Sequence, residues 1–115
     1  MRNPTWSREE LILALDLYFR VHPSHIDDAH PDVIELSRVL RSLAIHPRHS
    51  QGASFRSPAS VYMKLCNFLR CDPTYRGSGL RAGGMGEVDV WREFAEDRER
   101  LARVAASIRR NAGRL

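Results

Sequence analysis

Cysteines and long apolar runs are both scarce in this sequence. The two cysteines, Cys66 and Cys71, stand five positions apart, and residues five apart on a helix point to different faces, so we expect free thiols kept reduced inside a cell. No run approaches the roughly 18 apolar residues of a membrane span. The N-terminal MRNPTWS has no apolar segment typical of a secretory signal. We therefore expect a cytoplasmic protein with no membrane partner.

Acidic residues are almost absent from the middle of the chain. Residues 1–40 contain four Arg and seven acids, and residues 87–115 contain seven Arg and six acids. Residues 41–86 contain six Arg and one Lys but a single acid, Asp72. Codon bias can explain Arg in place of Lys, but not why acids avoid the centre. Because phosphate neutralisation supplies most sequence-independent nucleic-acid affinity, this segment predicts a polyanion-binding surface.

The remaining pattern is that of a single helical domain. A length of 115 residues with 43% hydrophobic content suits one domain spanning residues 1–115. Ser7 and Glu10 predict a capping box at the start of the first helix, with Trp6 and Leu11 at the positions of a hydrophobic staple. No segment alternates like a strand, so we expect an all-α fold. The predicted helices lie near 7–22, 31–43, 57–70, 87–96 and 98–110.

The third helix lies in the stretch FRSPASVYMKLCNFLRCDPTY, residues 55–75. Ser57 is the predicted N-cap and Pro58 the first helical residue. The predicted buried stripe is Val61, Leu65, Phe68 and Leu69, and the opposite face carries Ser60, Lys64, Asn67 and Cys71. The last two helices are expected to bury Val88, Trp91 and Phe94 or Ala95, and then Leu101, Val104, Ala105 and Ile108.

A glycine-rich segment follows the third helix. Residues 74–86, TYRGSGLRAGGMG, contain five glycines and no acid, so their backbone can lie close to a ligand. The segment has neither the Gly-Lys-Ser/Thr ending of a Walker A loop nor the preceding strand of a dinucleotide site. Three helices followed by such a loop suggest a helix-turn-helix core with a wing. The thirteen residues 44–56 are a departure, because the usual turn has about three or four.

In a helix-turn-helix, the third helix would contact DNA. Ser57 and Ser60 lie at the positive end of its dipole, which favours anions. Asn67 suits an adenine edge, and Lys64 suits a guanine or a phosphate. A purely structural explanation exists for each: Ser57 can serve only as a cap, and Lys64 and Asn67 only as solvated surface.

Catalytic and metal sites find weaker support. His46, His49, Cys66 and Cys71 are residue types that bind zinc, but structural zinc cysteines usually stand about two to four apart on a turn. No nucleophile motif accompanies the histidines. We expect no metal, no other cofactor and no enzymatic activity.

Four ordered blocks carry a family resemblance: WSREELILALDLYFR, HPDVIELSRVLRSLAIHP, FRSPASVYMKLCNFLRCDPTYRGSGL and the trailing GG with VW and EF. Together they resemble the N-terminal domain that precedes the nuclease in bacterial McrA-like HNH endonucleases, which are modification-dependent, type IV restriction enzymes. The resemblance covers roughly residues 5–110 and implies binding of double-stranded DNA with a preference for 5-methylcytosine. The His–Asn–His element and CxxC knuckles of the nuclease are absent from these 115 residues. We therefore expect binding without cleavage, with an HNH nuclease domain in longer relatives.

We group the candidate DNA contacts by role. The expected phosphate contacts are Arg48, Arg56, Arg76 and Arg81. The expected base contacts are Ser57, Ser60, Lys64, Asn67 and Tyr75. The candidate contacts to the cytosine methyl are Tyr75, Phe55, Tyr62 and Met63. Of these, Phe55 and Tyr62 are more typical of a core, and Tyr75 is expected to be exposed.

Three questions stay open at this level. The methyl can be contacted in the major groove, or the base can be flipped into a pocket. DNA binding without a methyl preference is an alternative function. A different class of function is a protein-interaction or assembly module whose basic surface meets an acidic partner.

Overall fold

The structure is a computed structural model that describes residues 3–43, 45–75 and 84–112. Across these residues the chain is helical and contains no strand, which confirms the predicted all-α fold. The helices are α1 (Arg8–Arg20), α2 (Pro31–Ser42), α3 (Pro58–Asn67), α4 (Met85–Phe94) and α5 (Arg98–Ala112), with 3-10 turns at Pro23–His25, Arg48–Ser50 and Phe68–Cys71. In this described part of the chain, no helix has both the length and the apolarity to cross a bilayer.

α1 is the central helix and contacts each of the other four. The predicted capping box is confirmed: Glu10 N–H donates to Ser7 Oγ (3.2 Å), and Ser7 N–H donates to Glu10 Oε1 (2.9 Å). The helix is apolar around most of its surface, and it buries Leu11, Ile12, Leu13, Ala14, Leu15, Leu17 and Tyr18. The other helices therefore pack around α1.

α3 buries the stripe that its sequence predicts. Val61, Leu65, Phe68 and Leu69 are all buried. The α-helix is shorter than the predicted 57–70, because it tightens after Asn67 into the 3-10 turn Phe68–Cys71. Asp72 is extended, as favoured by the following Pro73.

α4 corrects two details of the prediction. It begins at Met85, and its inward residues are Glu87, Val90 and Phe94. Val88 is only half-buried and belongs to the flank. Positions 87, 90 and 94 lie on one helical face, and this is the face that α4 buries.

α5 follows its predicted pattern. Asp97 Oδ1 accepts from the backbone N–H of Arg100 (3.1 Å) and caps the helix. Leu101 and Ala105 are fully buried, and Val104 and Ile108 pack half-buried against the same core. α5 thereby closes the core over one side of α1.

The helix-turn-helix interpretation stays a prediction. The glycine-rich segment is its predicted wing, and residues 76–83 of that segment, which include Arg76 and Arg81, lie outside the described residues.

Candidate functional site

The loop between α2 and α3, residues 45–57, is held against the N-terminal segment. Asn3 accepts from the backbone N–H of Gly52 (2.6 Å) and donates to the hydroxyl of Ser54 (3.2 Å). The guanidinium of Arg56 donates to the carbonyl of Pro4 (3.0 Å). The long connection is therefore a fixed part of the fold.

A buried ionic cluster lies beneath this loop. Arg56 Nε donates to Glu10 Oε2 (2.7 Å), and His46 Nε2 lies 2.8 Å from Glu10 Oε1. The Arg56 guanidinium also lies over the rings of Trp6 (4.7 Å) and Phe55 (4.5 Å). Burial alone would raise the pKa of Glu10, but hydrogen bonds from Arg56, the Ser7 amide and His46 outweigh it and hold that pKa below its usual value.

Arg56 is therefore not placed for the phosphate contact expected of it. Its side chain is 2% exposed, and its charge is matched by the carboxylate of Glu10. A basic residue in an acid-poor segment suggested a surface role, but its acidic partner comes from α1, 46 positions away.

Lys64 is also paired inside the fold. Its Nζ donates to Glu87 Oε1 (2.6 Å), and its side chain is only 16% exposed. Burial would raise the pKa of Glu87, but the Lys64 ammonium holds it below its usual value. Lys64 thus joins α3 to α4 and does not face solvent as a base contact would require.

The hydroxyls at the start of α3 serve its cap. Ser57 Oγ accepts from the backbone N–H of Ser60 (3.2 Å), and Ser60 Oγ donates to the carbonyl of Ser54 (3.3 Å). Both serines are half-buried. Capping of α3 and anchoring of the preceding loop therefore account for the contacts of both hydroxyls.

The exposed stripe of α3 is offset by one position in the sequence from most of the predicted polar face. Ala59, Met63 and Arg70 are exposed, and Asn67 between them is half-buried. Met63 is 50% exposed, one of four exposed large apolar side chains among the described residues, with Ile34, Ile45 and Met85. Of the predicted base contacts, Asn67 is the one that this stripe contains.

The aromatic candidates lie inward. Phe55 is buried, and Tyr62 is half-buried with its hydroxyl donating to the carbonyl of Pro23 (3.1 Å). Tyr75 is half-buried against the core, with its ring centroid 6.3 Å from that of His22. The expectation that Tyr75 is exposed is therefore corrected, and Met63 is the most accessible methyl-contact candidate.

A surface cavity of about 770 Å³ lies between the end of α2 and the loop that precedes α3. Its charged and polar lining includes Arg41, His46, Arg48 and Gln51, and its apolar floor includes Leu43 and Phe55; Ser42, Gly52 and Ala53 complete it. Arg41 Nε donates to the carbonyl of Phe55 (3.0 Å), which fixes that guanidinium at the edge. None of these lining residues is acidic. Arg41 was missed by the sequence reasoning, since nothing in its local pattern distinguishes it from other helix-surface arginines.

Folding changes the charge available on the central segment. Arg56 and Lys64 are neutralised by Glu10 and Glu87, which lie outside residues 41–86. The single acid of the segment, Asp72, turns inward and accepts from the hydroxyl of Tyr18 (2.6 Å). The exposed cations of the segment among the described residues are Arg41, Arg48 and Arg70.

The possible zinc ligands do not converge. Within residues 3–43, 45–75 and 84–112, no group of three or more His, Cys, Asp and Glu side chains is arranged to hold a metal ion. His46 instead contacts Glu10 and Arg56. Cys66 and Cys71 are half-buried, and burial raises the pKa of both thiols.

No protein-family model, no curated protein and no solved structure matches this chain. The functional proposal accordingly depends on the residues, on the family resemblance of the sequence blocks and on the geometry.

Proposed function

We propose that this chain binds double-stranded DNA, prefers sites that contain 5-methylcytosine, and does not cleave the DNA. The observation that carries the proposal is that the exposed side chains of α3, and the arginine-lined cavity in the loop that precedes this helix, are free of acidic residues. Together they combine an exposed apolar side chain, an amide and three arginines. The resemblance to the DNA-binding domain of McrA-like endonucleases supports the same assignment.

The α3 stripe supplies groups suited to base edges. An α-helix fits the major groove, where the methyl of 5-methylcytosine lies beside the base edge and favours apolar contact. Met63 is the exposed apolar side chain at the middle of the stripe. Asn67, one turn further, is proposed to hydrogen-bond a neighbouring base, and Ala59 lets the first turn approach closely.

Arginines at both ends of α3 are proposed to contact the phosphates. Arg48 lies in the loop before the helix, and Arg70 lies in the 3-10 turn after it, where its guanidinium donates to the carbonyl of Gly84 (2.7 Å). Arg76 and Arg81 of the glycine-rich segment remain proposed phosphate contacts. The positive end of the α3 dipole adds to this attraction.

Groove contact is favoured over base flipping. Flipping needs a pocket with walls on which the base can stack. The aromatic floor of the cavity, Phe55, is only 5% exposed and offers little ring face. Met63, in contrast, lies on the convex surface of a helix. We therefore propose that the methyl is contacted with the base still paired.

The proposal is tested with two duplexes of identical sequence, one with 5-methylcytosine and one without. Fluorescence anisotropy should show tighter binding to the methylated duplex and a steep fall in both affinities with rising salt. Equal affinities would remove the methyl preference but leave DNA binding. Incubating methylated plasmid with Mg²⁺ or Mn²⁺ tests the remaining part, and nicking would contradict binding without cleavage.

A further inference from the structure

The cavity between α2 and the loop that precedes α3 has the composition of an anion site. Two arginines, a histidine and a glutamine line it, over a floor that includes Leu43 and Phe55. We propose that it holds a phosphodiester group of the DNA backbone, with Arg41 and Arg48 as its two cationic partners. This inference rests on the proposed DNA binding, and it adds a phosphate contact, Arg41, that the sequence did not indicate.

Arg41 is positioned before any ligand arrives. Its Nε donates to the carbonyl of Phe55 (3.0 Å), so one donor of the guanidinium fixes its plane and the terminal nitrogens remain for a ligand. A guanidinium held in this way loses less conformational freedom on binding an oxyanion.

Hydrogen bonds hold the backbone around Arg48. It opens the 3-10 turn Arg48–Ser50, in which Gln51 N–H donates to the carbonyl of Arg48 (3.1 Å) and Ser50 N–H to that of Pro47 (3.0 Å). Gln51 in turn donates its side-chain amide to the carbonyl of His46 (3.3 Å). The part of the cavity wall that contains Arg48 is therefore a hydrogen-bonded turn.

The charge behind the cavity does not oppose an anion. The acid identified beneath it is Glu10, whose carboxylate accepts from Arg56 and contacts His46. With Arg56 buried against it, this carboxylate is neutralised, and the two cavity arginines set the local potential.

The backbone of this loop is strained at Arg56. Arg56, at the end of the loop, has a φ of 46°, a conformation that costs a non-glycine residue roughly 1 kcal/mol or more. Ser37 Oγ holds it by donating to the Arg56 carbonyl (2.7 Å). Long ordered loops in compact domains are commonly functional, and the stored strain lies beside the proposed site.

The position of the cavity suits a backbone phosphate. Ser54, next to the cavity residues Ala53 and Phe55, accepts from Ser60 in the first turn of α3. In this proposal, a duplex with α3 in its major groove has one of its strands at the cavity. Arginine forks match the oxygens of a phosphate, and the nearly covered floor leaves little ring face for a base.

The test measures how duplex affinity depends on salt in four variants. Arg48→Gln and Arg41→Gln should each reduce the slope of log Kd against log salt by about one, equally for methylated and plain duplex. Arg48→Lys should keep the slope, because lysine still neutralises a phosphate. Arg103→Gln, at an exposed position on α5, makes the same charge change away from the cavity and should leave the slope unchanged. Thermal melts would confirm that all four variants are folded.

The outcomes separate the two proposals. If the wild type binds DNA but Arg48→Gln and Arg41→Gln have the same slope as Arg103→Gln, the phosphate site is overturned. The proposed DNA binding would then remain intact. A wild-type protein without duplex affinity at low salt would overturn the proposed function and the phosphate site together.

Discussion

The ammonium of Lys64 lies 2.6 Å from a carboxylate oxygen of Glu87 and joins the inner side of α3 to the first turn of α4. The other oxygen of Glu87 accepts from the backbone N–H of Gly84 (2.6 Å), which closes the start of α4. One carboxylate thus fixes both helices. The pair lies beside the half-buried Asn67 on α3, and Met63 of the same helix is exposed.

Removing Lys64 should lower stability more than DNA affinity. In Lys64→Ala the largely buried carboxylate of Glu87 loses its counter-ion, which should cost about 2–3 kcal/mol of unfolding free energy. Urea unfolding measures this loss. The double variant Lys64→Ala/Glu87→Gln should recover part of the stability, because no unpaired charge is then buried. A stable Lys64→Ala protein with weakened DNA binding would instead return Lys64 to the DNA contacts.

The Glu10 cluster should make stability fall in acid. The pKa of Glu10 lies below its usual value of 4.5 in the folded state. Its contribution is therefore fully present above about pH 4.5 and is lost as the pH falls through the lower folded value. Glu10→Gln should cost roughly 3–5 kcal/mol at pH 7, because Arg56 loses its counter-ion.

The pH dependence of this cost tests the assignment. Urea unfolding of the wild type and of Glu10→Gln, repeated between pH 7 and pH 3, should show the difference between them shrinking below about pH 4.5. A difference that stays constant over this range would show that the Glu10 charge does not provide the stabilisation.

Met63 should determine the preference for the methyl group. Met63→Ala removes the apolar contact, which at roughly 1 kcal/mol should reduce the ratio of methylated to plain affinity about three- to sixfold. Stability should change little, because Met63 is 50% exposed. Met85→Ala is the matched control, as Met85 is 66% exposed but lies on α4. An unchanged ratio in Met63→Ala would place the methyl contact elsewhere.

Asn67 should contribute to affinity for both duplexes. Asn67→Ala removes a proposed base hydrogen bond, and the expected loss is about tenfold in Kd with methylated and plain DNA alike. Asn111→Ala changes the same side chain at an exposed position of α5 and should have no effect. Anisotropy measurements at one fixed salt concentration compare the two variants. If Asn67→Ala and Asn111→Ala bind DNA with equal affinity, Asn67 is not a DNA contact.

Local patterns predicted the helices well because their causes are local. The Ser7–Glu10 capping box spans four residues, and the buried stripe of α3 follows from helical spacing. The predicted inward face of α4 was wrong at Val88, because the buried position is that of a charged residue, Glu87, whose partner Lys64 is 23 positions away and cannot be identified from the local pattern.

The candidate site was harder to predict for the same physical reason. Arg56 and Lys64 were correctly recognised as cations in an acid-poor segment, but their partners are 46 and 23 positions away. Arg41 reaches the cavity by bonding to a carbonyl 14 positions further on. Sequence composition gave the sign of the charge in this region, and only the fold distinguishes buried cations from exposed ones.

The most direct test of the central claim is the ratio of two dissociation constants, measured at one salt concentration for duplexes that differ only in cytosine methylation. We predict tighter binding to the methylated duplex, by about fivefold or more if a methyl contact of roughly 1 kcal/mol is made. Equal dissociation constants for the two duplexes would contradict the claim.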